Sequence, residues 1–213
     1  MKEIPGHFPW YPNDHWWWPD GDKKLIQVLD WANDIDYFMK FIRKPRVCIQ
    51  AGGATGVWAY RFSQLFKRVY TFEPQRDNYL CLTLNTQDIE NIIPCYAPLS
   101  DKKEKYSVHN DIHERENYGA GYCVEDQGGL NSVLIDDINL DYCDLIQLDV
   151  EGFELNALKG AANTIDKFSP VIVLEEKPLN HVSGDYQAPR KWLEAFGYKQ
   201  VGAIHRDVVF KRD

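Results

Sequence analysis

Hydrophobic positions change their period several times along the chain, and each change marks an element. Over residues 23–43 apolar side chains recur at Leu25, Val28, Leu29, Ala32, Ile35, Phe38, Met39 and Ile42. That spacing predicts an amphipathic helix, with Pro45 soon after its end. A short apolar run at 46–51 predicts a strand that ends in glycines. Helical spacing returns at 57–67, with Phe62, Leu65 and Phe66 facing inward. Residues 68–72 read as a strand, 76–85 as a helix carrying Leu80 and Leu84, and 91–99 as a third strand. After a polar interval, alternation resumes with a strand at 143–148, a helix at 153–162 and a strand at 170–174. A helix follows at about 188–196, with Pro189 in its first turn and Gly197 as its stop. The tail holds two strand-like runs split by His205, Arg206 and Asp207, a hairpin signal.

Strands that alternate with helices require a mostly parallel sheet covered on both faces. The expected fold class is therefore α/β, a seven-stranded mostly parallel sheet with one antiparallel strand and helices on both faces. Residues 1–22 depart from any period. They are rich in proline and glycine and carry Trp10, Trp16, Trp17 and Trp18, so an irregular arm is expected there. Residues 1–44 are thus expected to form an arm and helix that cap a main domain at 45–213. Residues 100–141 are polar and glycine-bearing, and a β-excursion is expected around Tyr106 to His109 and Tyr122 to Glu125.

Composition narrows the function classes. The chain has 213 residues, enough for one decorated α/β domain. With 24 Lys and Arg against 32 Asp and Glu, its formal charge is -8. Such a surface repels a phosphate backbone, so nucleic acid is not an expected partner. No run of about 18 apolar residues occurs, so no membrane partner is expected either. The five cysteines form no Cys-x-x-Cys pair, and the first residues lack the apolar stretch of a signal peptide. A cytoplasmic protein with reduced thiols is expected.

Two features carry cofactor chemistry. The apolar run from Val47 leads into Gly52, Gly53 and Gly56, where a bare backbone can pass close to a ligand. Amides at the start of the following helix are expected to receive an anionic group. About twenty residues on, Glu73 follows the next strand, where an acid can hold the hydroxyls of an adenosine ribose. The Gly52-x-x-x-Gly56 spacing differs from the Gly-x-Gly-x-x-Gly of dinucleotide sites, and no Gly-Lys-Ser/Thr follows. S-adenosylmethionine, which has no phosphate, is favoured over NAD.

The segments Val47 to Gly56, Phe72 to Asn85, and Leu145 to Gly160 resemble the FkbM family of S-adenosylmethionine-dependent methyltransferases. Ala97 to Asp101, Ser132 to Asp136 and Pro170 to Glu175 add to the likeness, which covers about residues 45–178. The resemblance implies a Rossmann-like class I methyltransferase fold and O-methylation of a small molecule or a sugar. It implies a cofactor site around Gln50, Ala51, Gly52, Gly53, Ala54, Thr55, Gly56, Glu73, Pro74, Leu99, Ser100 and Asp149. The family usually has an acid where this chain has Gln50, which removes a charge that would attract the cofactor's ammonium.

Asp149, Glu151 and Glu154 lie where one strand passes into its helix, and Glu175 and Glu176 end the next strand. Ligand crevices of open α/β sheets lie at these carboxyl ends. An alcohol needs help to lose its proton, so Asp149 or Glu151 is a candidate base, with Glu175 beside them. The same oxygens suit Mg²⁺ or Ca²⁺; the base is favoured over the metal. Acids at a helix N-terminus can also simply complement its dipole. The Trp arm could stack a sugar or cover the core. His181 and His205 are candidates near the mouth, and Cys95, after Pro94, is expected to be a core residue. An NAD(P)-dependent oxidoreductase and a non-catalytic cofactor- or sugar-binding module are the alternative functions.

Overall fold

The computed structural model describes residues 21–110, 120–178 and 185–212. The Trp arm at 10–18 and His181 lie outside the described residues. Seven strands form the main sheet: β1 (Val47–Ala51), β2 (Arg68–Phe72), β3 (Ile92–Cys95), β7 (Leu145–Leu148), β8 (Val171–Glu175), β9 (Lys199–Ile204) and β10 (Asp207–Lys211). Their order is β3-β2-β1-β7-β8-β10-β9. All pairings are parallel except those of β10, which runs against both β8 and β9. One reversed strand in a sheet of seven is what the alternation and closing hairpin predict. Strand β4 (Lys105–Asn110), β5 (Gly121–Glu125) and β6 (Leu130–Asn131) form a separate antiparallel sheet, the expected excursion.

Side chains along the central strands alternate between two cores. Ile49, Ile146, Leu148, Ile172, Leu174 and Phe210 pack toward α5 (Glu154–Lys159), α6 (Ala162–Phe168) and α7 (Ala188–Ala195). Cys48, Val69, Leu145, Val171, Val173 and Val209 pack toward α2 (Ile35–Phe38), α3 (Val57–Ser63) and α4 (Arg76–Thr86). A sheet covered on both faces needs apolar residues on both, which explains the apolar run Val171–Leu174 of β8 and the apolar Leu145, Ile146 and Leu148 of β7.

Several elements differ from the periodicity in instructive ways. The helix expected at 23–43 is a relay: α1 (Gly21–Trp31), a 3₁₀ turn, α2, and a second 3₁₀ turn. Its apolar stripe persists, since Ala32, Ile35 and Phe38 are all buried. The helix expected at 153–162 breaks at Gly160, where a Cβ would lie 1.9 Å from the Ser100 carbonyl oxygen. The chain resumes as α6, whose first amides, those of Asn163 and Thr164, donate to the Asp136 carboxylate. Strand β3 stops at Cys95, and Leu99 instead bridges to Val133. Pro94, with no N–H to donate, sits on this edge strand. Cys95 is half-buried against the core, as expected, and all five cysteines are free thiols.

Helix α4 is turned against its leucines. Leu80 and Leu84 are exposed, whereas Asn78, Leu82, Asn85 and Thr86 face inward. The polar residues have work there: Asn85 donates to the Thr55 carbonyl at 2.9 Å, and Leu82 packs beneath Gly53 and Gly56. This helix supports the glycine turn, and its inward face is therefore partly polar.

Candidate functional site

The sheet order reverses direction at β1, between β2 and β7, and a cavity of about 780 Å³ opens over the carboxyl ends of these strands. That is the topological switch point where open α/β sheets bind ligands, and the volume suits a small organic molecule. Ala51, Gly52, Ala54, Thr55, Glu73 and Pro74 line one end, with Ala97, Pro98 and Leu99. Asp149 adjoins Gly52 between the two ends, and Glu151, Glu175, Lys177 and Asp207 line the other.

The turn after β1 is held by its own hydrogen bonds. Gly52 and Gly56 adopt left-handed φ values of 86° and 92°, and Ala54 is forced to 43°. A Cβ on Gly52 would lie 2.0 Å from the Asp149 carbonyl oxygen, so only glycine lets β1 and β7 approach here. The Gly52 and Gly53 amides both donate to the Phe72 carbonyl, at 3.1 and 3.0 Å, and the Gly56 amide donates to Gly53 at 2.9 Å. Ala54 donates to the Glu73 carboxylate at 2.7 Å. The amides of Gly52, Gly53, Ala54 and Gly56 are therefore engaged within the protein. Gly53 and Gly56 are buried beneath α4 and do not line the cavity. Gln50 does not line it either. Its amide donates to the Gly52 carbonyl at 2.9 Å and accepts from Thr71, bracing the turn from below.

Glu73 is what this end presents. It is 5% exposed and accepts from the amides of Ala54 and Gln75, the latter at 2.8 Å. Burial pushes its carboxyl up to about 7, and the bonds from Gln75, Ala54 and the Asn78 side chain hold it from rising further. Across the cavity, Val108, Gly121 and Cys123 of the small sheet approach. Burial, with Glu73 nearby, lifts the Cys123 thiol to about 12. Ser100, expected beside Leu99 at the cofactor, is fully buried away from the cavity, its hydroxyl 3.1 Å from that of Tyr106.

At the other end, one ammonium is surrounded by acids. Lys177 Nζ lies 2.9 Å from Glu151 and 2.5 Å from Glu175. Oxygens of Asp149, Glu151 and Glu175 all lie within 4.8 Å of one another. Burial and the neighbouring Glu175 hold the Asp149 carboxyl well above the usual carboxylate range, with Lys177 opposing them. Burial works against the charge on Lys177, but Asp149, Glu151 and Glu175 offset it and raise its pKa above the ordinary lysine value. Asp207, opposite Glu175 in the β8–β10 register, is pushed up to about 7 by burial, Glu175 and Asp34. Glu151 itself has a left-handed φ of 52°. Strain of this kind collects where a side chain must be aimed.

Two candidate acids turn away. Glu154 caps its own turn, accepting from the amides of Val150 and Gly152, and Glu176 forms a two-pronged pair with Arg190. His205 lies in the exposed β9–β10 turn, 3.5 Å from Asp34. Lys177, Asp207, Asn78 and Gln147 line the cavity without having been singled out by the sequence. Gln147 is 3% exposed, and its Oε1 has no hydrogen-bond partner among the described residues. Two of these carried a signal in the two-residue period of a strand: Gln147 precedes Asp149 by two positions, and Lys177 follows Glu175 by two.

A sheet of this order with one reversed strand, a glycine turn after β1 and an acid after β2 define the class I methyltransferase fold. The family described as the methyltransferase FkbM domain matches residues 48–199. The chain belongs to the FkbM methyltransferase family. An FkbM methyltransferase from Methylobacillus flagellatus KT shares the fold at 20% identity and a TM-score of 0.52, over 79% of this chain and 43% of that one. This chain thus spans less than half of that protein. Aeropyrum pernix fibrillarin, solved with natively bound S-adenosyl-L-methionine, is a weaker likeness: 15% identity, TM-score 0.48, 79% of this chain and 66% of that one. Magnesium protoporphyrin IX methyltransferase from Synechocystis PCC 6803, with bound SAM, gives 13% and 0.48 over 90% and 79%. Curated protein sequences give no significant match. Among the described residues no helix is long and apolar enough to cross a membrane.

Proposed function

We propose that this chain transfers a methyl group from S-adenosylmethionine to a hydroxyl oxygen of a small molecule or sugar. One observation carries the proposal: the glycine turn with Glu73, and the acids around Lys177, line a single cavity.

The residues fit the cofactor. After accepting the Ala54 and Gln75 amides and the Asn78 side chain, the Glu73 carboxylate retains a lone pair for a ribose hydroxyl. Pro98, Leu99 and Cys123 offer a mainly apolar wall for a purine. The orphaned Gln147 oxygen requires a donor, and the ammonium of the cofactor's methionine part is one. When bound, the cofactor supplies a methyl carbon activated by its positive sulfur.

The chain's own residues would handle the acceptor. A hydroxyl placed at Asp149 meets a buried carboxyl whose proton affinity is raised well above that of an ordinary carboxylate, as a general base requires. Glu151 and Glu175 are tied to Lys177 and keep that carboxyl in place. Trp31, Trp58 and Phe153 line the cavity and reduce its water content. The net charge of -8 and the acidic mouth favour an uncharged hydroxylated acceptor over a polyanion.

Calorimetric titration tests the cofactor: S-adenosylmethionine and its demethylated product should bind, NAD should not, and Glu73→Ala should abolish the binding. A preference for NAD would move the chain to the oxidoreductases. A labelled-methyl assay over a panel of hydroxylated acceptors then separates an enzyme from a binding module, which would give no transfer to any of them.

A further inference from the structure

The group at the acceptor end has the composition of a divalent-metal site with an ammonium at its centre. Three carboxylate oxygens that lie within 4.8 Å of one another can all touch one ion, since metal–oxygen distances of about 2.1–2.5 Å span that separation. Lys177 Nζ instead contacts two of the three acids directly, at 2.9 and 2.5 Å. Its side chain is 20% exposed and those of Glu151 and Glu175 are 12% and 16% exposed, so the pairs are shielded from solvent. An ammonium and a divalent ion cannot share this volume, because their repulsion is strong at such separations.

We propose that Lys177 is a built-in cation filling a latent divalent-metal site, so that the three acids are held together at this end without a metal. Glu151 and Glu175 spend their charge on the ammonium. Lys177 cannot be the base, because its carboxylate neighbours hold its proton more firmly than water does. The other charged groups facing this volume are Asp207 from β10, Asp34 after α1, and Arg206 and His205 from the hairpin turn.

The cation role is tested without any turnover, by titrating the full chain with Mn²⁺ and following the free ion by electron paramagnetic resonance. The wild type and Lys177→Arg should take up no Mn²⁺ at submillimolar concentration. Lys177→Met should bind one ion at least about tenfold more tightly, and Glu175→Gln added to it should remove that binding. Lys177→Gln replaces the Met variant if that fails to fold. Tight Mn²⁺ binding by the wild type, or no gain in a folded neutral variant, overturns the inference. Failure to bind S-adenosylmethionine would overturn the proposed function and leave the Mn²⁺ result standing.

Discussion

If Glu73 holds the cofactor ribose, affinity must follow its ionisation. In the free protein its carboxyl titrates at about 7, because burial disfavours the charge more than the Ala54 and Gln75 amides restore it. A proton on either oxygen would displace an amide and remove a lone pair that a ribose hydroxyl needs. Binding therefore selects the ionised form, and the dissociation constant scales with the inverse of the ionised fraction. For a group titrating at about 7, that means roughly tenfold weaker binding at pH 6 than at pH 8, or about 1.4 kcal/mol. At pH 7 about half a proton should leave per ligand bound. Calorimetry of the demethylated cofactor in buffers of different ionisation enthalpy measures both quantities. Asp149 and Asp207 titrate upward in the same cavity, so the control is Asp149→Asn, which should keep the slope, whereas Glu73→Gln should flatten it. A dissociation constant that is level from pH 6 to 8 in the wild type, with no proton released, refutes the assignment of Glu73 to the ribose.

Other outcomes follow from the same geometry. Gly52→Ala places a Cβ against the Asp149 carbonyl at a left-handed backbone position, and should cost at least about 3 kcal/mol in urea unfolding. A loss within experimental error would mean that β1 and β7 are not held this closely. Asp149→Asn should lower kcat by at least about a hundredfold while cofactor affinity stays within roughly threefold; equal turnover would remove it as the base. Asp207 has its pKa raised from 3.8 to about 7, so the fold holds a proton that the unfolded chain has already released. Its contribution to stability is present below the ordinary carboxylate range and is lost as pH rises to about 7. Asp207→Asn should accordingly gain on the wild type in thermal midpoint between pH 5 and pH 7, and a constant difference would contradict the sign. Asp144 accepts the backbone amides of Arg46 and Val47 beneath the sheet, far along β7 from the cavity. Asp144→Ala should lower the thermal midpoint by roughly 3–6 °C and leave cofactor affinity unchanged.

The central sheet was legible because both its faces are buried, which makes its strands short, apolar and separated by helices. The glycine turn and Glu73 were legible for a related reason: each follows the last residue of a strand, so counting residues places them at the carboxyl edge. What escaped the sequence was satisfied by partners distant in the chain. The turn's amides face the Phe72 carbonyl and Glu73, and no local rule distinguishes that from amides open to a ligand. Ser100 follows Leu99 by one position, yet Tyr106 draws its hydroxyl into the core. Glu176 follows Glu175, yet the strand's alternation sends it to Arg190 on α7. Helix α4 misled because its inward side supports a turn, and the asparagines that do so look like surface residues.

The acids of this chain separate by environment, and that separation locates the chemistry. Asp126 and Asp185 have lowered pKa values, held down by the Ser107 hydroxyl and by Lys191 respectively. The carboxyls raised in the described residues are Glu73, Asp149, Glu154 and Asp207. Glu154 closes a turn with its two amides, but the other three line one cavity. Folding gains nothing from burying acids that resist ionisation, since each weakens the free protein as pH rises toward neutrality. A fold with both cores filled by aliphatic and aromatic residues had no structural need for them. A ligand that brings hydroxyl and ammonium donors to one end, and a proton to be removed at the other, would recover that cost on binding. Raised acids at both ends of a single cavity are therefore better explained by the reaction than by the scaffold.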